Sequence, residues 1–252
     1  MTKLKVVYQC CDLPGSRDLS IEQISRLIDG GLHEKATVFL SLNGDLTKFL
    51  DLVKLVEPYP NFRICHTSDR RDLMEYPALT LVKELADAAN EEEYILYFHI
   101  KGITKLHHRG IHDWRKYMEY WHIDRWQDCV AKLDEGYDTC GTNYIYGEFI
   151  GADLQVHNWP HYSGGFWWAR TSYIKKLNSL PHPDNYVMGT VSPLTGYVID
   201  HDLYRYDHEA WIASGQPNWC EIHSSPGCRK DDTKGTYPGW HYHYTYPESN
   251  YK

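Results

Sequence analysis

Pro77–His99 reads PALTLVKELADAANEEEYILYFH, and the change of period inside this stretch decides the fold. As far as Ala89, the apolar residues Leu79, Leu81, Val82, Leu85 and Ala86 recur at helical spacing. Pro77 sits in the first turn, where its missing N–H is no loss. From Tyr94 to His99 the chain becomes a short apolar run with no helical period, the pattern of a buried strand. A helix feeding such a strand is half of a strand–helix–strand unit.

The same alternation extends toward the N-terminus. Leu4–Cys10, Thr37–Leu42 and Phe62–Cys65 read as strands. Leu19–Ile28, stopped by Gly30-Gly31, and Leu46–Val56, ending before Pro58, read as helices. Four strands alternating with three helices predict an α/β protein with a doubly wound, mostly parallel sheet and flanking helices, joined by right-handed crossovers. Such sheets bind ligands beyond the carboxyl ends of their strands. Chemistry is therefore expected in Gln9–Ser16, Leu42–Asp45, His66–Arg71 and His99–Lys105. Beyond residue 110 the pattern is less regular. Ile111–Leu133 reads as one long helix or two abutting ones, with an aromatic stripe of Trp114, Tyr117, Trp121 and Trp126. Tyr137–Asn143 and Tyr162–Ala169 read as strands, and Thr171–Leu177 opens a helix. Glu148–Pro160 and Asn178–Asp202 read as loops. Asp207–Ser214 reads as a short helix with Asp207 as its N-cap, and Trp219–Lys252 as a tail wrapping the surface. No composition shift marks a boundary, so residues 1–252 are expected to form one domain.

Bulk composition narrows the function. Apolar residues make up 42% of the 252, enough for a large core, while 9 Trp and 21 Tyr exceed what a core needs. Aromatic faces and polar ring edges suit sugars, which present C–H faces and hydroxyls. The net charge of −8 and the lack of a basic run argue against a nucleic-acid partner. Seven Cys, an odd number without a CxxC pair, fit a reducing compartment. The opening MTKLKVVYQC shows no signal-peptide pattern, and no apolar run reaches the ~18 residues of a membrane span. A cytoplasmic protein is expected.

Several blocks stand in order along the chain: Glu75–Leu79 (EYPAL), Tyr97–Gly102 (YFHIKG), Trp114–Met118 (WRKYM), Gly141–Asn143 (GTN), His161–Arg170 (HYSGGFWWAR) and Glu209–Ile212 (EAWI). Together they resemble a family of bacterial and large-virus glycosyltransferases of the GT-A type, over about residues 60–215. The resemblance implies a GT-A-like, nucleotide-diphospho-sugar transferase architecture. It also implies a UDP- or GDP-sugar donor held by roughly residues 1–110, and a glycan acceptor met by roughly 111–252. The cytoplasm would then be that of a bacterial cell or a virus-infected host. GT-A enzymes commonly carry an Asp-x-Asp metal clamp after the strand equivalent to Tyr94–His99. Here the position reads His99-Ile100-Lys101, which lacks the carboxylate oxygens that a hard divalent cation prefers.

Candidate residues follow from the chemistry. A leaving diphosphate develops negative charge that something preorganised must stabilise. Lys101 is the candidate cation, with His99 beside it and Gly102 allowing close backbone approach. An acceptor hydroxyl needs a carboxylate to take its proton; Glu209 is the first candidate and Asp207 the second. Tyr8, Gln9 and Asp12 are expected to read the donor base or ribose, and Arg70 or Arg71 to meet phosphate. His161, Ser163, Gly164, Gly165, Trp168 and Asn143 are the sugar and acceptor candidates. Asp200 and Asp202 have the best Asp-x-Asp spacing for a metal, in a weak loop context. Two rival readings use the same residues: a non-catalytic carbohydrate-binding protein, and a metal-dependent hydrolase built on the Asp clusters and on His residues such as His241 and His243.

Overall fold

A computed structural model describes residues 3–147, 149–150, 156–199, 204–224, 237–238 and 248–252. The predicted alternation is present as β1 (Lys3–Cys11), α1 (Ser16–Asp29), β2 (Ala36–Asn43), α2 (Leu50–Val56), β3 (Phe62–Ser68), α3 (Tyr76–Asp87) and β4 (Glu93–His99). The second half supplies α4 (Arg109–Glu119), α5 (Trp126–Asp134), β5 (Thr139–Thr142), β6 (Trp167–Arg170), α6 (Thr171–Ile174), α7 (Arg205–Ala210) and β7 (Trp219–His223). All seven strands form one sheet in the order β7-β5-β6-β4-β1-β2-β3. Residues from both the 1–110 and the 111–252 halves thus share one sheet. Among these seven strands, only β6 runs against its neighbours.

Both faces of the sheet are covered. On β4, Tyr94, Leu96 and Phe98 point to one face, where they pack with Leu19, Ile24 and Leu27 of α1 and Trp114 of α4. Ile95 and Tyr97 point to the other, against Ala78, Leu79 and Val82 of α3 and Tyr173 of α6. This two-sided burial explains why the strands read as unbroken apolar runs. β1 passes to β2 on one side, and the chain later returns to β4 on the other side of β1. The carboxyl ends of β1 and β4 therefore flank the switch point, the place where sheets of this kind form their ligand crevice.

One expectation is narrowed and three are corrected. Of the two forms expected for Ile111–Leu133, the structure has the two abutting helices, α4 and α5, joined by a π-helical turn at Tyr120–Asp124. The strand over Tyr162–Ala169 divides: His161–Tyr162 pairs with Tyr144–Ile145, and Trp167–Arg170 enters the main sheet. The stretch read as loop from Glu148 to Pro160 contains an antiparallel pair, Phe149–Ile150 with Val156–His157. Trp219–His223 is an edge strand of the main sheet rather than part of a wrapping tail, parallel to β5. No helix among the described residues is long and apolar enough to cross a membrane.

Candidate active site

The crevice floor is the turn after β4. Gly102 has φ 78°, and a Cβ there would lie 2.3 Å from Ile111 Cγ2, so the turn needs glycine. Arg115 Nη1 donates to the Lys101 carbonyl at 3.3 Å, and Gln23 Nε2 to the His99 carbonyl at 3.4 Å. The Lys101 side chain then rises over the Trp114 ring, 5.0 Å from its centroid, and its Nζ lies 3.8 Å from Glu209 Oε1. The predicted cation and the predicted base are thus brought together across the crevice, though they are 108 residues apart by number (209 − 101).

A residue passed over as a site candidate sits beside them. Glu75 Oε1 lies 3.2 Å from His99 Nδ1, and Oε2 lies 3.2 Å from His208 Nδ1. Burial pushes the Glu75 carboxyl up, but hydrogen bonds from His208 and His99 outweigh it and hold the group well below its ordinary value, so it is ionised. The preceding residue, Met74, has φ 48° and ψ −123°, a conformation non-glycine residues rarely adopt. Two side-chain amides hold it there: Gln9 Nε2 donates to the Met74 carbonyl at 3.1 Å and Asn43 Nδ2 at 2.8 Å. The ends of β1 and β2 thereby aim Glu75 into the crevice. The sequence signal is the EYPAL block itself, which sets a carboxylate immediately before a helix whose first turn is marked by Pro77.

The reversed strand β6 brings the third component. Running against β4, it starts where β4 ends: Trp167 pairs with Tyr97. The preceding Ser163-Gly164-Gly165 turn therefore reaches the crevice. Gly164 and Gly165 have φ 96° and 74°. The Gly164 carbonyl accepts from His99 Nε2 at 3.0 Å, which locks this turn to β4. Ser163 is buried and its N–H donates to the Asn143 carbonyl at 3.0 Å, so Asn143 supports the turn from behind. His161 is buried and contacts the Trp159 carbonyl through Nδ1 at 3.1 Å. Trp168 is not a cleft wall. It is fully buried on the α1 face, with Nε1 donating to the His122 carbonyl at 3.0 Å, while Trp167 is buried on the opposite face. The expectation that one Trp faces the cleft fails because helices cover both sides of β6.

A cavity of about 490 Å³ lies beside the crevice, at the ends of β2 and β3, lined by Gly44, Asp45, Leu46, Thr67, Ser68, Asp69 and Arg71. Arg71 pairs with Asp12 at its edge. Of the expected donor-binding residues, Asp12 and Arg71 reach this region. Tyr8 does not: it is fully buried, its hydroxyl donating to Gln23 Oε1 at 2.9 Å. Gln9 is spent on Met74. Arg70 is engaged by Asp72 and by Asp184, at 2.8 and 2.7 Å to the latter's oxygens.

Asp207 also departs from expectation. Helix α7 begins at Arg205, two residues earlier, so Asp207 lies inside its first turn and is not the N-cap. Its carboxylate is buried and accepts from the hydroxyls of Tyr186 at 2.9 Å, Thr195 at 3.1 Å and Ser192. It anchors the loop before α7 and has no free oxygen facing the crevice, which leaves Glu209 as the base candidate. Asp200, Asp202, His241 and His243 lie outside the described residues. The metal clamp that the resemblance implies does not fit the residues at the β4 end. Lys101 occupies the position with its own positive charge, Glu209 faces that charge, and Glu75 is engaged by two imidazoles. A hard cation would lack the oxygen ligands it requires.

These features define an α/β protein whose doubly wound sheet gathers charged side chains at its switch-point crevice. The chain belongs to the family described as "Domain of unknown function (DUF8361)", whose profile matches residues 16–226. Among solved structures, the crystal structure of HddC from Yersinia pseudotuberculosis is similar at a TM-score of 0.38 and 12% identity, covering 80% of this chain and 96% of that one. Comparison with curated proteins finds no match.

Proposed function

We propose that this protein is a glycosyltransferase that moves a sugar from a nucleotide-diphosphate donor to a hydroxyl of a glycan or glycoconjugate. The observation that carries the reading is the meeting of Lys101 and Glu209, 3.8 Å apart, past the carboxyl end of β4, where the Gly164-Gly165 turn is bonded to His99. In a direct displacement, the acceptor oxygen forms a bond to the anomeric carbon as the bond from that carbon to the donor phosphate breaks. The acceptor proton passes to Glu209, and the electron pair leaves with the diphosphate. Lys101 stabilises the charge developing there, in a partly desolvated site where a fixed cation acts strongly. The cavity at the ends of β2 and β3 is the seat for the nucleoside, with Arg71 on the phosphate side.

Calorimetry with UDP and GDP, followed by turnover of a nucleotide-sugar panel with and without Mn²⁺, tests the reading. Lys101→Ala is expected to lower turnover by ~10²-fold or more with the fold retained, the scale on which losing one transition-state donor acts. Full turnover in that variant, or no nucleotide binding by the wild-type protein, refutes the scheme. The second outcome would favour a carbohydrate-binding protein without transfer.

A further inference from the structure

Two buried polar atoms near Glu75 have no hydrogen-bond partner among the described residues: the hydroxyl of Tyr97 and Nε2 of His208. Both residues are more than nine-tenths buried. An unpaired buried polar atom costs about 1–3 kcal/mol and is rarely kept without a use. These two share one neighbourhood. His208 contacts Glu75 through its other nitrogen at 3.2 Å. Tyr97 lies on the same strand face as His99, two residues before it, with ring centroids 6.0 Å apart. Burial first, and then the negative charges of Glu75 and Glu209, push the Tyr97 hydroxyl well above its ordinary value, so it keeps its proton. The strained Met74, fixed by two amides, is a second sign that the position of Glu75 is specified rather than incidental.

The chemistry of the cluster selects a ligand class. Glu75 and Glu209 accept through the lone pairs that His99, His208 and Lys101 leave over, the Tyr97 hydroxyl donates or accepts, and Nε2 of His208 is open to a partner. A phosphate would be drawn to Lys101 beside Glu209 and repelled by the Glu75 carboxylate. A purely apolar group would leave the orphaned atoms as they are. A set of adjacent hydroxyls, each able to donate and to accept, satisfies all four residues at once. We propose that Glu75, Tyr97, His208 and Glu209 form the subsite for the hydroxyls of a sugar ring. The inference rests on the transferase reading for which sugar arrives, and it moves sugar recognition away from the aromatic block at 161–170 to the α3–β4–α7 corner of the crevice.

Tyr97→Phe tests it with little disturbance, since it deletes one unpaired oxygen. Two measurements are made on wild type and variant: thermal unfolding, and calorimetry with UDP, GDP, UDP-glucose, UDP-N-acetylglucosamine, GDP-mannose and the corresponding free sugars. The inference expects a variant at least as stable as wild type. It also expects at least one sugar, free or nucleotide-linked, to bind the variant 5- to 50-fold more weakly, with UDP and GDP affinities unchanged. A destabilised Tyr97→Phe means that the hydroxyl has a protein partner, and overturns the inference. So does equal sugar affinity, or no sugar binding by wild type. Nucleotide binding without any contribution from the sugar overturns the subsite and leaves the transferase reading standing. Free-sugar binding lost in the variant, without nucleotide binding, upholds the subsite and removes the transferase reading.

Discussion

Replacing Asp207 separates two roles that one carboxylate cannot serve together. Its oxygens take hydroxyls from Tyr186, Ser192 and Thr195. A hydrogen bond to a charged group contributes about 1.5–3 kcal/mol. Asp207→Ala removes three. The Tyr186 and Thr195 hydroxyls can turn to water after truncation, but Ser192, 3% exposed, cannot. Because the three bonds share one acceptor they do not add in full, and the expected loss is about 3–4 kcal/mol. At about 2–4 °C per kcal/mol for a chain of this size, Tm falls by about 6–16 °C. Asp207→Asn keeps one acceptor oxygen and loses the charge, for about 1–2 kcal/mol. Urea unfolding gives the energies, and limited proteolysis shows whether cleavage concentrates in residues 186–199. If Asp207→Ala unfolds at the wild-type temperature yet abolishes turnover, the anchoring argument is wrong and Asp207 is the base.

Three other expectations follow from the geometry. Glu75 is held below its ordinary value of 4.5 in the folded chain, so its contribution to stability is complete above that pH and is lost as pH falls through the lower folded value; unfolding free energies of wild type should drop more steeply below pH 4.5 than those of Glu75→Gln, and parallel curves would show that the two histidines do not hold the carboxylate. Gly164→Ala puts a Cβ 2.3 Å from Met118 Sδ at φ 96°, for a cost of about 2 kcal/mol or more; it should also displace the carbonyl that His99 contacts, visible as a shifted His99 ring signal in NMR, and an unshifted signal counts against the lock between β4 and the turn. Trp168→Phe leaves the His122 carbonyl without its donor and should cost about 2–4 kcal/mol in denaturant unfolding while ligand affinities stay put; a selective loss of sugar affinity would restore Trp168 as a cleft residue.

What the sequence could show depended on the range of the interaction. β1 to β4 and their helices were legible because each is declared by apolar spacing within a dozen residues. That Lys101 is a cation past a strand end and Glu209 a carboxylate on a helix was legible, since both are local facts; their approach to 3.8 Å was not. Trp168 was misread because its environment is decided by which strands flank β6, and nothing in FWWA states that both faces are covered. Asp207 was misread because its partners come from Tyr186, Ser192 and Thr195, in a stretch with no period to place it. Tyr8 was misread because a strand end was taken to mean exposure, although Gln23 closes over its hydroxyl. Glu75 was missed since the strain that aims it belongs to Met74, a residue type that advertises no unusual backbone.

The clamp on Met74 has a mechanical consequence. Its carbonyl is gripped by Gln9 from β1 and Asn43 from β2, and the backbone of Asn43 runs straight into Gly44, a wall of the cavity beside β3. The wall of that cavity and the grip on the residue before Glu75 are therefore built from one strand end, so a substitution at Asn43 alters both at once.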